Sequence, residues 1–220
     1  MDQLLLFGVR SPLTPDYEET CARLGLAIVG AVQVDDLAPR VLDRERLVAL
    51  AALTEAQRRA PYLTCAFNPA RRAELAALAE GAGLHPAEAL VDPTAVVARS
   101  TKLGQGVFVN AGAVIGAAGF LGDHVVVNRA ASLGHHVLIG DFVSLGPGVT
   151  VAGNVRIGEN SMIGAGAIVL PGVRIGADVT VAAGSVVRRD LPDGVLGAGN
   201  PAVVKPIRPG GGAFADRDEE

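Results

Sequence analysis

Branched aliphatic residues recur at every sixth position through the second half of the chain. The run has seventeen positions, and each of them holds Val, Ile or Leu. Its members are Val91, Val97, Leu103, Val109, Ile115, Leu121, Val127, Leu133, Ile139, Leu145, Val151, Ile157, Ile163, Val169, Ile175, Val181 and Val187. An unbroken period of six indicates a solenoid of hexapeptide repeats.

The positions around each aliphatic residue repeat as well. Small or β-branched side chains such as Val107 and Ala113 stand two residues earlier, and Gly or Asn often follows directly, as at Gly104 and Asn128. Gly and Asn accept backbone conformations that branched side chains avoid. Each hexad is therefore predicted to be a short strand followed by a sharp turn at that Gly or Asn. Three such strands would close a triangular rung of eighteen residues in a parallel β-helix.

Residues 1–85 follow a different pattern, in which short apolar runs alternate with helical periodicity. Asn68 is a suitable N-cap, with Pro69 in the first turn of the helix that follows. Alternating strands and helices indicate a small parallel α/β unit. The predicted strands are 4–7, 27–34 and 63–67, and the predicted helices are 16–24 and 69–82.

These patterns divide the chain into four segments. An α/β domain spans residues 1–85, and the β-helix spans 86–190. Residues 191–208 are turn-rich and are expected to cap the end of the coil, because solenoids need their ends covered. The remaining residues, 209–220, are rich in Gly and acidic side chains and are expected to be disordered.

Composition narrows the classes of partner. Half of the 220 residues are apolar, yet only 4% are aromatic and none is Trp, so the core is built from small and branched side chains. The formal charge is −4 without a basic block, which argues against a nucleic-acid partner. No apolar run approaches the roughly 18 residues of a membrane helix. Two cysteines and no signal segment lead us to expect a reduced, cytoplasmic protein without membrane insertion.

Of the four histidines, His135 is the strongest candidate for chemistry. It lies at a predicted turn of the coil, and eighteen residues later the next rung has Gly153 over it. A bare glycine leaves open space beside an imidazole that can accept a proton near neutral pH. The alternative is a solvated surface histidine, as we expect for His85 before Pro86. His124 and His136 occupy equivalent points of two hexads, neither facing the coil core.

Several motifs of the chain resemble one family of enzymes. The motifs are NRAASLGH at 128–135, AGNVRIG at 152–158, IVLPGV at 168–173 and GNPA at 199–202. They are similar to hexapeptide-repeat sugar acetyltransferases, the group of nucleotide-amino-sugar N-acetyltransferases and sialic acid O-acetyltransferases that serve cell-surface glycan synthesis. The resemblance implies a left-handed β-helix behind a small Rossmann-like domain that binds the nucleotide sugar. It also implies acetyl-CoA as co-substrate and a homotrimer with active sites between neighbouring coils.

The resemblance assigns roles to residues of the coil. His135 would be the general base that deprotonates the acceptor, Asn128 would lie near the acceptor, and amides around Gly153 would face the thioester carbonyl. Pantetheine would run past Ala165 and Ala183. Arg189 would bind a CoA phosphate, with Arg188 and Lys205 as weaker candidates.

For the nucleotide sugar, the resemblance assigns Gly8, Asp35, Asp36 and Asn68. The family has a Gly- and His-containing loop after the first strand, whereas this chain keeps only Gly8. Side chains would therefore have to bind phosphate here, those of Arg10, Ser11 and Thr14. A second departure is Phe67, where a glycine is usual.

A third departure lies beside the candidate base. The family usually has a carboxylate directly after the catalytic histidine, and this chain has His136 there. Asp123 or Asp141 is a possible substitute, and the reverse assignment, with His136 as base, stays open.

The favoured hypothesis is an acetyl-CoA-dependent N-acetyltransferase acting on a nucleotide-linked amino sugar, without a metal. Transfer to a hydroxyl of sialic acid or another sugar is the main alternative. A zinc enzyme of the γ-carbonic-anhydrase kind would need His124, His135 and His136 to converge on one ion. A non-catalytic scaffold is the remaining class.

Overall fold

The computed structural model describes residues 2–205, and the predicted tail, 209–220, lies outside the described residues. The fold class is confirmed: a left-handed parallel β-helix follows a small α/β unit. Within 2–205 no helix has the length and apolar character needed to span a bilayer.

The α/β unit is built on a four-stranded parallel sheet in the order β3-β2-β1-β4. Its strands are β1 (Gln3–Phe7), β2 (Ala27–Gln33), β3 (Leu47–Ala49) and β4 (Tyr62–Thr64), and its helices are α1 (Thr14–Leu24), α2 (Glu55–Arg59) and α3 (Pro69–Gly81). Two single turns of 3₁₀ helix lie at Arg44–Arg46 and Leu50–Ala52.

Both predicted helices and all three predicted strands are present, with shifted ends. Asn68 caps α3 by accepting a hydrogen bond from the Arg71 amide at 3.2 Å, as predicted. The short elements β3 and α2 were not predicted. A signal for α2 does exist, because Thr54 and Gln57 form a capping box at its start.

The coil consists of two-residue strands that pair with the strand eighteen residues later. They are β5 (Leu90–Val91), β6 (Val96–Val97), β7 (Lys102–Leu103), β8 (Phe108–Val109), β9 (Val114–Ile115), β10 (Phe120–Leu121), β11 (Val126–Val127), β12 (Ser132–Leu133), β13 (Leu138–Ile139), β14 (Ser144–Leu145), β15 (Thr150–Val151), β16 (Arg156–Ile157), β17 (Met162–Ile163), β18 (Ile168–Val169), β19 (Arg174–Ile175), β20 (Thr180–Val181) and β21 (Val186–Val187).

Three sheets result, and their edges define three corners of the triangle. We name each corner by the sheet that precedes it along the chain. Corner 1 follows the sheet of β5, β8, β11, β14, β17 and β20. Corner 2 follows the sheet of β6, β9, β12, β15, β18 and β21, and corner 3 follows the sheet of β7, β10, β13, β16 and β19.

The interior of the coil contains two side chains from each hexad. Aliphatic residues of the sixfold run, such as Val127 and Leu145, pack with smaller residues two positions earlier, such as Val125 and Val143, and all four are fully buried. Burial of apolar surface contributes about 25 cal/mol per Å², so this continuous core stabilises the coil.

The glycine directly after the aliphatic residue does not make the turn, which corrects the sequence prediction. Left-handed backbone occurs two residues further on, as at His136 (φ 56°), Asn154 (φ 60°) and Gly166 (φ 65°). The glycine is needed for a different reason: a Cβ on Gly116 would lie 2.7 Å from the carbonyl carbon of Gly134 in the next rung. Small residues stand there because adjacent rungs approach closely.

The segment after the coil, predicted to be turn-rich and to cap the coil, forms a hairpin in its described part. Strands β22 (Leu196–Gly199) and β23 (Ala202–Lys205) are antiparallel, and the connecting Asn200–Pro201 peptide bond is cis. β22 pairs with β20, so the hairpin extends the sheet before corner 1 and covers its end.

The α/β unit packs on the outer face of the sheet that contains β5, β8 and β11. Leu90, Phe108 and Val126 point outward from this sheet but are buried in a cluster with residues of the α/β unit. The Tyr17 ring of α1 stacks on Phe108 with centroids 3.9 Å apart. This face of the coil is therefore internal to the protein.

Arg72 of α3 fixes the contact between the two units. It is fully buried and donates hydrogen bonds to five backbone carbonyls, those of Ala66, Phe67, His124, Phe142 and Val143. Burial lowers the pKa of its guanidinium to about 10, which leaves the side chain charged at neutral pH. The last three acceptors belong to two successive rungs of the coil, so one side chain joins α3 to both.

Close stacking of the rungs leads to a stability prediction. In Gly158→Ala, the new Cβ would lie 2.5 Å from the Gly176 carbonyl carbon, and that backbone cannot yield easily. We expect the free energy of unfolding to fall by about 2 kcal/mol or more, measured by thermal and denaturant unfolding. The control is Gly81→Ala in α3, where nothing lies within 4 Å of the new Cβ. Equal stability of the two variants would contradict this account of the glycines.

Candidate active site

His135 and His136 form a pair of exposed imidazoles at corner 2. The buried strand residue Leu133 precedes them, and His136 takes the left-handed conformation that turns the chain. Their Nδ1 atoms lie 3.0 Å apart and the rings meet edge to face at 85°. This is a hydrogen bond between two imidazoles, so one Nδ1 donates and the other accepts.

Gly153 of the next rung lies against the His135 ring. A Cβ at Gly153 would be 2.7 Å from both Cε1 and Nε2 of the imidazole. The space predicted beside the histidine is thus filled by its own ring. The amide of Asn154 donates to the His135 carbonyl at 2.9 Å, whereas the Gly153 amide has no acceptor within residues 2–205. The Nε2 edge of the His135 ring therefore lies against Gly153, whose amide is an available donor.

Asp123 and Asp141 do not orient His135. Both are at corner 3, where each carboxylate accepts a hydrogen bond from the backbone of the preceding rung. Asp123 accepts from the Gln105 amide and Asp141 accepts from the Asp123 amide, both at 2.8 Å. The sequence left His136 open only as an alternative base, and in the structure its Nδ1 atom contacts Nδ1 of His135.

Asn128 lies at corner 1 and is buried in a polar network. Its Oδ1 accepts hydrogen bonds from Nδ2 of Asn110 at 3.1 Å and from the Arg129 amide at 2.7 Å. Asp16 of α1 accepts from both Asn110 and the Arg129 guanidinium. The side chain of Asn128 is therefore held from the α/β unit, a connection that the sequence did not reveal.

Equivalent positions of successive rungs stack into columns, and the column that contains Asn128 continues in the two preceding rungs. Asp92, Asn110 and Asn128 are eighteen residues apart, and Asp92 accepts from Thr20 of α1 at 2.9 Å. Burial acts to raise the pKa of the Asp92 carboxyl, but hydrogen bonds from Thr94, and to a smaller extent from Thr20 and Arg23, outweigh it and lower the pKa to about 2. The spacing of eighteen residues could have predicted this column from the sequence. Its hydrogen-bond partners on α1 could not be predicted, because they are far away in sequence.

His124 is a structural residue. Its ring does not face the coil core, as expected, but it is buried between the two units, stacked on Phe142 with centroids 4.9 Å apart and on Tyr62 at 6.2 Å. Burial lowers its pKa, and the charge of Arg72 adds to this effect. The three histidines do not converge, and the described part of the chain has no group of three or more potential ligands suited to a metal ion.

The predicted residues for the acyl donor lie at two corners. His135, Gly153, Pro171 and Arg189 are eighteen residues apart and form one column at corner 2. At the strand spacing of about 4.8 Å, three rungs separate Arg189 from His135 by roughly 14 Å. A cavity of about 350 Å³ lies beside Arg188, Arg189, Pro201 and Ala202.

Ala165 and Ala183 are exposed at corner 1, so a single coil does not bring them beside His135. The remaining donor candidate, Lys205, ends β23 and is exposed.

The predicted nucleotide residues lie at the carboxyl ends of the parallel strands. Asp35 and Asp36 line a cavity of about 500 Å³ together with Gln33 and with residues of β3. Asp35 pairs with Arg71 of α3 at 2.9 Å, in the same first turn that Asn68 caps. The structure thus brings Asp35, Asp36 and Asn68 to one edge of the sheet, a common ligand-binding position in such folds.

The loop after β1 is shaped by packing. Gly8 has a left-handed φ of 76°, and a Cβ there would lie 2.5 Å from the Leu75 side chain, so this glycine is required. Arg10 is partly exposed, and Ser11 accepts a hydrogen bond from the Leu13 amide. Thr14 is fully buried, which corrects its predicted role as a phosphate ligand.

Comparison with known proteins agrees with this architecture. Residues 154–189 match the family model "Bacterial transferase hexapeptide (six repeats)". PerB from Caulobacter crescentus, solved in complex with CoA and GDP-perosamine, is 34% identical with a TM-score of 0.84, over 93% of this chain and 97% of that one. The acetyltransferase domain of PglB from Neisseria gonorrhoeae, in complex with acetyl coenzyme A, is 33% identical with a TM-score of 0.82, over 93% and 99%. Among curated proteins, none matches.

The chain belongs to the hexapeptide-repeat sugar acetyltransferases. It is thus an enzyme, an acyltransferase, as the sequence predicted. WeeI from Acinetobacter baumannii, at 21% identity and a TM-score of 0.78 over 92% and 99%, shares the fold. In this acetyltransferase, the backbone carbonyl of Phe67, the residue for which the resemblance led us to expect glycine, accepts from Arg72 and Ser144. The departure thus lies at the contact between the α/β unit and the coil.

The contact between Gly153 and His135 leads to a second prediction. In Gly153→Ala, the new Cβ meets the end of a flexible exposed side chain rather than backbone, so the ring will move aside. We expect the unfolding temperature to change by less than about 3 °C, because no core contact is lost. A crystal structure of the variant should show the Nδ1 atoms of His135 and His136 separated. An unmoved His135 ring would contradict the prediction.

Proposed function

We propose that this protein transfers an acetyl group from acetyl-CoA to the amino group of a nucleotide-linked amino sugar. The observation that carries the proposal is the similarity to PerB, which was solved with CoA and GDP-perosamine and is 34% identical over nearly the whole of both chains. A related perosamine N-acetyltransferase structure, with a histidine replaced by asparagine, is 33% identical and also contains both molecules. The acceptor class therefore follows from relatives that match the α/β unit as well as the coil.

In the proposed mechanism His135 is the general base. Its Nε2 takes a proton from the amine as the amine nitrogen forms a bond to the thioester carbonyl carbon. The Gly153 N–H donates to the oxygen that gains charge in the tetrahedral intermediate. When the carbon–sulfur bond breaks, the proton on His135 neutralises the departing thiolate. The thioester is already activated, so positioning and one proton acceptor suffice.

The proposed donor site uses the column at corner 2. Arg189, with Arg188 as a second candidate, would bind a phosphate of CoA roughly 14 Å from His135, three rungs of about 4.8 Å away. The cavity beside these two arginines supports this assignment. The pantetheine arm would then follow the coil axis towards Gly153.

The proposed nucleotide site is the cavity beside Asp35 and Asp36. Carboxylates accept hydrogen bonds, so this pair suits the N–H groups of a base and the hydroxyls of a ribose rather than phosphate. Asn68 would lie at the edge of the same site. Gly8 permits close approach of backbone after β1, and Arg10 would contact the phosphates.

The proposal is tested by mixing the protein with acetyl-CoA and UDP-, GDP-, CDP- or TDP-linked amino sugars and measuring thiol release. We expect release with at least one amino sugar and a decrease of about a hundredfold or more in His135→Ala, because a general base typically contributes that much. Acetyl-CoA should still bind to the variant. Turnover near the wild-type value in His135→Ala would remove His135 from the mechanism. Acetylation of sialic acid alone would establish the O-acetyltransferase alternative.

A homotrimer belongs to the same proposal, because Ala165 and Ala183 are at a different corner from His135 and can face it only from a neighbouring coil. Exposed aliphatic side chains on the sheet before corner 2, Val96, Val114 and Ile168, support contact between coils. We expect light scattering at micromolar concentration to give three times the mass of one chain. A monomer of 22.4 kDa would contradict this assembly.

A further inference from the structure

The contact between His135 and His136 has an electrostatic consequence for the proposed base. Only one hydrogen fits between two Nδ1 atoms that are 3.0 Å apart. If His135 donates it, the proton of neutral His135 is on Nδ1 and its Nε2 lone pair is free beside Gly153. If His136 donates it, neutral His135 is protonated on Nε2 and cannot act as a base.

We propose that His136 is a positioning residue that accepts the Nδ1 hydrogen of His135 and so directs the basic lone pair to Nε2. This inference rests on the proposed function. It assigns to a neutral imidazole the role that a carboxylate has elsewhere in the family. With its Nδ1 accepting this hydrogen, the proton of the His136 ring would be on Nε2.

Among the residues around the pair, His136 is the group that can orient the His135 ring. The rungs on either side have Ala117 and Ala118 before the pair and Gly153 and Asn154 after it, none of which titrates. The nearest corners in the chain carry charges that are already engaged. Arg129 at corner 1 pairs with Asp16, and Asp141 at corner 3 accepts the Asp123 amide.

A neutral acceptor differs from a carboxylate in one respect. Both can hold the imidazole of His135, but only the carboxylate stabilises the imidazolium through opposite charge. A second proton on the pair would also place two N–H groups face to face and break the hydrogen bond.

The left-handed backbone at His136 permits a matched set of variants. Gly, Asn and Asp all tolerate φ near 56°, and Oδ1 of Asn or Asp occupies the place of the histidine Nδ1. His136→Gly removes the acceptor, His136→Asn keeps a neutral acceptor, and His136→Asp adds a charge. The control is Asn160→Gly, a left-handed position at corner 3.

For His136→Gly we expect kcat to fall about tenfold or more with KM for acetyl-CoA unchanged, because the tautomer of His135 is no longer fixed. His136→Asn should retain activity within about threefold of wild type. In His136→Asp the acid limb of the kcat/KM profile should move up by about one pH unit, since a nearby carboxylate favours the imidazolium. Asn160→Gly should match the wild type. A purely structural role would leave the acid limb unmoved.

A second measurement does not depend on turnover. Nitrogen-15 shifts of the His135 ring should show the Nδ1–H tautomer in the wild type and in His136→Asn, and a shift towards the Nε2–H tautomer in His136→Gly. If no amino sugar is acetylated but the His135 ring shows these tautomers, the proposed function is wrong, whereas the hydrogen bond from His135 to His136 is confirmed. The inference is overturned if His136→Gly is as active as wild type, or if His136→Asn is as impaired as His136→Gly.

Discussion

The stacking of successive rungs at the spacing of a β-sheet is the constraint on which the rest of this structure depends. Each strand must pair with the strand eighteen residues later, and backbones about 4.8 Å apart leave little room at the corners. This explains why one aliphatic and one small side chain per hexad fill the interior, and why Gly116 cannot carry a Cβ. It also explains a composition that is rich in glycine and poor in aromatic residues. The same stacking holds the His135 ring against Gly153, so the candidate active site is a product of the repeat.

A second interaction fixes the α/β unit on that coil. Arg72 places a charged guanidinium in the protein interior, where its hydrogen-bond acceptors are five backbone carbonyls. Burying a cation is costly unless its donors are satisfied, and here each acceptor is an oxygen at the end of an element or at a corner of a rung. The geometry is therefore specific: α3 must lie across two successive rungs for all the bonds to form. The first turn of α3, which Asn68 caps, also places Arg71 beside Asp35. The interaction therefore sets the position of the proposed nucleotide site relative to the coil.

Features of this protein that depend on short-range patterns were predictable from its sequence, and those that depend on contacts between distant segments were not. The hexads, the α/β unit and the column of His135 over Gly153 were predictable because they depend on local periodicity and on a fixed offset of eighteen residues. The reason given for glycine was wrong, since its constraint comes from the next rung and not from its own φ. Arg72, the network of Asp16 with Asn110, and the burial of His124 depend on contacts between distant segments. A charged side chain in a helix and a histidine at a turn look solvent-exposed until those contacts exist.

The placement of residues at different corners of the triangle gives a physical reason for the proposed association between coils. Within one chain, the column of His135, Gly153 and Arg189 is at corner 2, and Ala165 and Ala183 are at corner 1, with a full sheet face between them. A single convex corner offers an extended pantetheine arm contacts on one side only. Two coils placed side by side form a groove, in which a corner of each can line one wall. Each chain would thus contribute half of the proposed donor site. Association between coils would complete that site, and it would also bury the exposed aliphatic side chains.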